Sequence, residues 1–203
     1  RPAFAAALAC PVGTMLAIQF IRDKGEPELG AAGGGKVQIA DPKVLPIAAM
    51  IMLFAIPYCA TQSFLVSYTE TRGLNITVSL FFPLYAAVLL LLRLSLKGLF
   101  DRLPFRYFLW AGAASALVSI LCLGLMNNNL VMFLAALFMA GGYGIMCSVC
   151  QSTAILLAGR ERRGLANSTY YIGLDLGMTL GPVIGGFLYG NLDLSLFYPA
   201  LLL

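Results

Sequence analysis

The residue with the clearest chemical potential is Asp175, the one carboxylate inside the apolar run 165–189. Ten helical residues from the start of that run place it roughly 15 Å along the axis. That is near the middle of a hydrocarbon core about 30 Å thick. A charge at that depth costs at least ~2.5–3.5 kcal/mol, so such residues face a cavity or a partner rather than acyl chains. Tyr171 and Thr179, one turn to either side, fall on the same helix face. The chemistry open to this group is proton exchange or binding of a cationic substrate. The alternative is a structural carboxyl capped by neighbouring hydroxyls.

Other reactive combinations are sparse. The chain has no His, which removes imidazole catalysis and His-based metal sites. Cys147 and Cys150 have C-x-x-C spacing, but they sit in an apolar run without further ligands. Small-residue packing explains them better than zinc or redox chemistry. A polytopic membrane enzyme would need clustered carboxylates for a metal, or a nucleophile with its base. Neither pattern is present, nor is a phosphate-binding loop. The expectation is therefore a non-enzyme without metal or cofactor, and a membrane enzyme is the distant alternative.

The elements that carry these residues are membrane-length. Of 203 residues, 60% are hydrophobic and 11% charged, and the mean hydropathy is +0.88. A soluble domain carries about a quarter charged residues. Runs long enough to cross a bilayer cover 2–21, 45–68, 77–96, 107–126, 130–158 and 165–189, and another begins near Leu194. Pro57 is expected to break the second run and Pro182 to bend the sixth. Residues 22–44, rich in Gly and Ala with charges of both signs, read as a flexible linker. The chain opens at Arg1-Pro2 inside an apolar run and stops inside another at Leu203. It is expected to be a piece of a longer protein.

Charge sets direction. Eleven of the 13 Lys and Arg residues fall on one side of these runs, leaving Arg1 and Arg72 on the other. That bias makes the loops 22–44, 97–106 and 159–164 cytoplasmic. It also accounts for the net charge of +4 without nucleic acid.

Gly173, Gly177, Gly181 and Gly185 recur every fourth residue. They keep one helix flank free of side chains and allow close backbone packing against a neighbour. Asp175 lies two residues from both Gly173 and Gly177, about 160–200° round the helix from that flank. One side packs and the other is polar, which suits a helix that lines an aqueous path.

Three stretches together resemble the major facilitator superfamily, in particular its bacterial drug-efflux-like and sugar-efflux-like permeases. The first runs from Phe81-Phe-Pro-Leu-Tyr-Ala86 through Arg93 to Gly98 and Asp101-Arg102. It is similar to the loop motif between the second and third helices of each half, although Lys97 stands where the family has Gly and Gly98 follows. The second is Gly141-Gly-Tyr-Gly144. The third runs from Arg162 through Asp175 and Gly177 to Gly181-Pro182 and Gly185-Gly186. The resemblance implies an all-α polytopic bundle: the C-terminal six-helix half (45–203), preceded by the last helix of the N-terminal half (1–21) and the inter-half linker (22–44).

The resemblance also assigns roles. Arg93, Gly98, Asp101 and Arg102 would form a conformational latch. A carboxylate in such a turn can meet a neighbouring helix N-terminus, and a merely orienting basic loop is the alternative. Gly164 and Asn167 would receive the equivalent carboxylate of the other half. Tyr58 and Gln62, one turn apart, and Tyr143 and Cys147, likewise, would contact substrate from cavity-lining helices; ordinary helix–helix hydrogen bonds would give the same spacing. The implied protein is a monomeric secondary transporter of a bacterial inner membrane. It would move small molecules or drugs outward against protons, with uptake of a sugar or small metabolite as the alternative.

Overall fold

The computed structural model describes residues 11–16, 19, 38–100 and 103–202. The chain divides into two compact units between Val37 and Gln38. In the first, residues 11–16 form a helical segment, α1; the remainder of the expected first span and most of the linker lie outside the described residues.

The second unit is built from helices, with no strand among the described residues. Its elements are α2 (Leu45–Thr71), α3 (Phe81–Phe100), α4 (Phe105–Gly124), α5 (Asn129–Met139), α6 (Ile145–Ala158), α7 (Arg163–Asn191) and the short α8 (Phe197–Ala200). A π-helical turn, Ala140–Gly144, joins α5 to α6 into one path. Among the described residues five helical paths are long and apolar enough to cross a membrane, matching the expected spans from 45 to 191. Connections are short, so neighbours in sequence run antiparallel. Gly159 closes α6 with φ +73°, a left-handed conformation that favours glycine.

Contacts at each end tie the loops together. At one end the Arg72 guanidinium donates to the Tyr68 hydroxyl (2.7 Å) and the Gly124 carbonyl (3.4 Å). There too the Thr77 N–H donates to Asn129 Oδ1 (3.0 Å). Arg72 thus bridges the ends of α2 and α4. At the other end the Thr169 hydroxyl accepts the Asp41 N–H (2.9 Å). Lys43, Arg93, Arg106, Arg162 and Arg163 are exposed at that second end, so the two-sided charge pattern survives folding.

Three expectations change. The second unit starts ahead of Leu45: Asp41 and Val44 are 1% and 0% exposed, although both fall in the stretch expected as linker. Asp41 caps the incoming chain. Its Oδ1 accepts the Lys43 N–H and its carbonyl accepts those of Val44 and Leu45, with Pro42 following in the position that needs no donor. Second, α2 runs unbroken through Pro57; α7 is likewise continuous through Pro182, where the expectation was a bend rather than a break. Packing by neighbouring helices and local hydroxyls sustains such helices, and the Thr61 hydroxyl donates to the Pro57 carbonyl at 2.8 Å. Third, the fifth span holds as one path from Asn129 to Ala158 but contains a π turn that a uniform α-helix would lack.

Glycine decides the packing. A Cβ on Gly177 would stand 2.6 Å from the Met52 carbonyl oxygen, and one on Gly181 2.7 Å from that of Ile56. Gly173 meets the Ala48 carbonyl, and Gly185 faces Phe64 and Ala60. The register climbs on both helices together, so α2 and α7 lie parallel. In lipid, where apolar burial gives little drive to helix association, such close approach supplies the van der Waals contact.

Candidate functional site

Two buried clusters fill the bundle. Tyr68, Phe81, Leu123 and Phe197 anchor one; Ile51, Phe108, Met146 and Tyr170 anchor the other. Tyr143 packs against both, so the π turn sits at their junction. Glycines let the turn pass close to its neighbours on α3 and α4. A Cβ on Gly142 would meet the Ala116 backbone at 3.0 Å, and one on Gly144 would meet Leu89 at 2.7 Å. The Ser115 hydroxyl donates to the neighbouring Phe138 carbonyl (2.8 Å). One π turn re-aims the side chains that follow it, and such turns recur at functional sites.

Tyr58 and Tyr143 are brought together here. Their rings stack with centroids 4.1 Å apart and planes 14° from parallel, and Tyr85 lies 5.4 Å from Tyr58. Cys147 joins the same group: the buried Tyr170 hydroxyl donates to its carbonyl (2.8 Å) and lies 3.1 Å from its Sγ. Cys150 is wholly buried, so the C-x-x-C pair is split between a hydrogen-bonded and a packed position. Gln62, one turn beyond Tyr58, is exposed.

A second polar group adjoins the first. One turn past Cys147, Gln151 Nε2 donates to Asn167 Oδ1 and to the Tyr171 hydroxyl, both at 3.2 Å. Asn167 therefore has a partner inside this unit, while Gly164 stands in open space with nothing within 4 Å of a built Cβ.

Asp175 is exposed one turn beyond Tyr171. The Thr179 hydroxyl donates to its backbone carbonyl (2.8 Å). Among the described residues no hydroxyl caps its carboxylate. At about 100° per residue, the exposed surface of α7 splits into two arcs. Ile172, Leu176, Leu180, Val183 and Phe187 form an apolar arc. Gly164, Ser168, Tyr171, Asp175 and Thr179 form a polar one that adjoins Gln151 of α6. The buried glycine ribbon occupies the remaining side. Two solvents of different polarity fit this helix better than one.

The latch residues are not assembled by what is described. Arg93 is exposed on α3, and Gly98 lies within the same helix with open space around it. Asp101 and Arg102 lie outside the described residues.

Tyr85, Tyr170 and Gln151 were not singled out by sequence. Tyr85 lies in the stretch quoted for its resemblance, and Gln151 falls one turn after Cys147, so spacing alone would have placed the latter. Nothing in spacing distinguishes Tyr170 as the buried partner of Cys147.

The match to known proteins falls on the same helices. No curated protein and no solved structure matches the chain. Residues 106–202, from the start of α4 into the residues after α8, match the family model of the Major Facilitator Superfamily. The chain is similar to that family over these residues, which hold three of the five helical paths that, among the described residues, are long and apolar enough to cross a membrane.

Proposed function

We propose that the chain is the C-terminal half of a proton-coupled efflux transporter that works by alternating access. The observation that carries this reading is the three-sided build of α7. Its glycine flank is packed on α2, its apolar arc suits lipid, and its polar arc holds Asp175 beside Tyr171 and the Gln151–Asn167 pair. A lone carboxylate at mid-helix with no internal partner is suited to exchange a proton with an aqueous path. The stacked Tyr58 and Tyr143 and the exposed Gln62 supply aromatic faces and amide groups for a small organic substrate, the usual composition of a binding pocket. Packed helices joined through glycine can rock as a body about such a midplane site.

The reading rests on the protein being a coupled carrier, and proteoliposomes test that. An imposed pH gradient is expected to drive substrate flux, and Asp175→Asn to reduce that flux at least tenfold while substrate counterflow persists. Flux of substrate and protons in opposite directions marks efflux, and flux in the same direction marks uptake. A pH-driven flux with unchanged rate, stoichiometry and pH dependence in Asp175→Asn would show that the carboxylate has no part in coupling.

A further inference from the structure

A crevice of about 440 Å³ runs between α3, α4 and the π turn. We propose that it binds an anionic phospholipid, one acyl chain lying in the crevice and the phosphate at its cationic mouth. Leu92 and Leu96 of α3, Tyr107, Ala111 and Ser115 of α4, and Gly141 form its walls. The Ser115 hydroxyl already donates to the Phe138 carbonyl. That bond uses the hydroxyl's one donor, and the lining around it is mainly hydrocarbon, which suits an alkyl chain.

Dimensions agree with one leaflet. Tyr107 to Ser115 spans eight residues of α4, about 12 Å, against a half-thickness of about 15 Å for the hydrocarbon core. The crevice reaches the surface of the bundle at Tyr107, 52% exposed, and at Ala111, which is exposed.

Charge selects the headgroup. The Arg106 guanidinium lies 5.4 Å from the centre of the Tyr107 ring, which holds a cation where the crevice reaches the membrane surface. Arg93 is exposed at the same end of α3. The stretch 93–106 carries four cations against one carboxylate. An aromatic ring beside a cation at the interface, above an apolar slot, matches a phosphate over an acyl chain. Each basic residue near the surface is expected to favour an anionic over a zwitterionic lipid about fivefold.

Native mass spectrometry of the purified protein, with dioleoylphosphatidylglycerol and dioleoylphosphatidylcholine as probes, tests the assignment. The wild type is expected to retain phosphatidylglycerol preferentially. Arg106→Gln should lower that preference about fivefold and leave phosphatidylcholine retention unchanged. Ala111→Phe, which fills the slot, should lower retention of both lipids. Arg162→Gln, which removes an exposed cation at the same end of the bundle, should change neither. Wild-type preference in Arg106→Gln would overturn the proposal, whether or not Ala111→Phe folds. An equal loss in Arg162→Gln would overturn it too, because the whole basic end and not this crevice would then hold the lipid.

Discussion

Tyr58 of α2 and Tyr143 of the π turn lie face to face, with ring centroids 4.1 Å apart, and join helices far apart in the chain. Aromatic pairs of this kind contribute about 0.5–1.5 kcal/mol beyond their area. Tyr143→Leu is expected to lower the thermal midpoint in detergent by that order and to reduce substrate flux. Tyr143→Phe keeps the ring and should preserve stability, so any remaining loss of flux in that variant reports the hydroxyl's contact with substrate. Equal stability in the Leu and Phe variants would show that the stack contributes nothing.

Glycine at 177 is required by the neighbouring backbone rather than by helix geometry. Gly177→Val would press a side chain onto the Met52 carbonyl and the Ala55 Cβ, both under 3 Å from a built Cβ. Overpacking of this kind costs about 1–3 kcal/mol, and here backbone must move. Gly186→Ala, whose Cβ would meet Phe64 at an ordinary 3.5 Å, is the control and should fold as the wild type does. Unfolding midpoints of the two variants in parallel check this. A Gly177→Val protein as stable as Gly186→Ala would mean that α2 and α7 are not in contact.

The clasp between Asp41 and Thr169 gives a third test. Thr169→Val keeps the shape but leaves the buried Asp41 N–H without its acceptor. The expected loss is about 1 kcal/mol, since hydrogen bonds in membrane proteins are worth less than their burial suggests. Hydrogen exchange at Asp41 reads it directly, and protection at that amide should fall. Unchanged protection would remove the clasp.

At the opposite end, Arg72→Gln should loosen the ends of α2 and α4. It loses a 2.7 Å bond to the Tyr68 hydroxyl and the longer one to Gly124. Because the site is exposed, the expected cost is at most about 1 kcal/mol. Thermal scans of the variant beside the wild type check this; an unchanged midpoint would mean that the bridge contributes nothing.

The spans were legible because hydropathy over twenty residues is a strong signal, and the glycine ribbon because a four-residue period has one structural use in lipid. Asp175 stood out because a charge inside a membrane-length apolar run is costly unless it meets water or a partner. The π turn was not: Gly141, Gly142 and Gly144 read equally well as close packing, and the need for a wider turn comes from Ala116, Leu89 and Ser115 on other helices. The early start of the second unit at Asp41 was available in the Asp-Pro pair, a helix-start signal masked by the linker-like residues before it. Pro57 misled because proline breaks helices in water but is sustained by neighbours in a bundle.

The central claim, that the Asp175 arc of α7 borders water and not acyl chains, is tested most directly by cysteine accessibility. In a background with the native cysteines replaced, single cysteines at Asp175, Thr179, Leu176 and Val183 would be exposed to a charged, membrane-impermeant thiol reagent. The polar-arc positions 175 and 179 should react, and positions 176 and 183 should not. Equal silence at all four, or reaction at 176 and 183 but not at 175, would place the carboxylate against lipid and contradict the account.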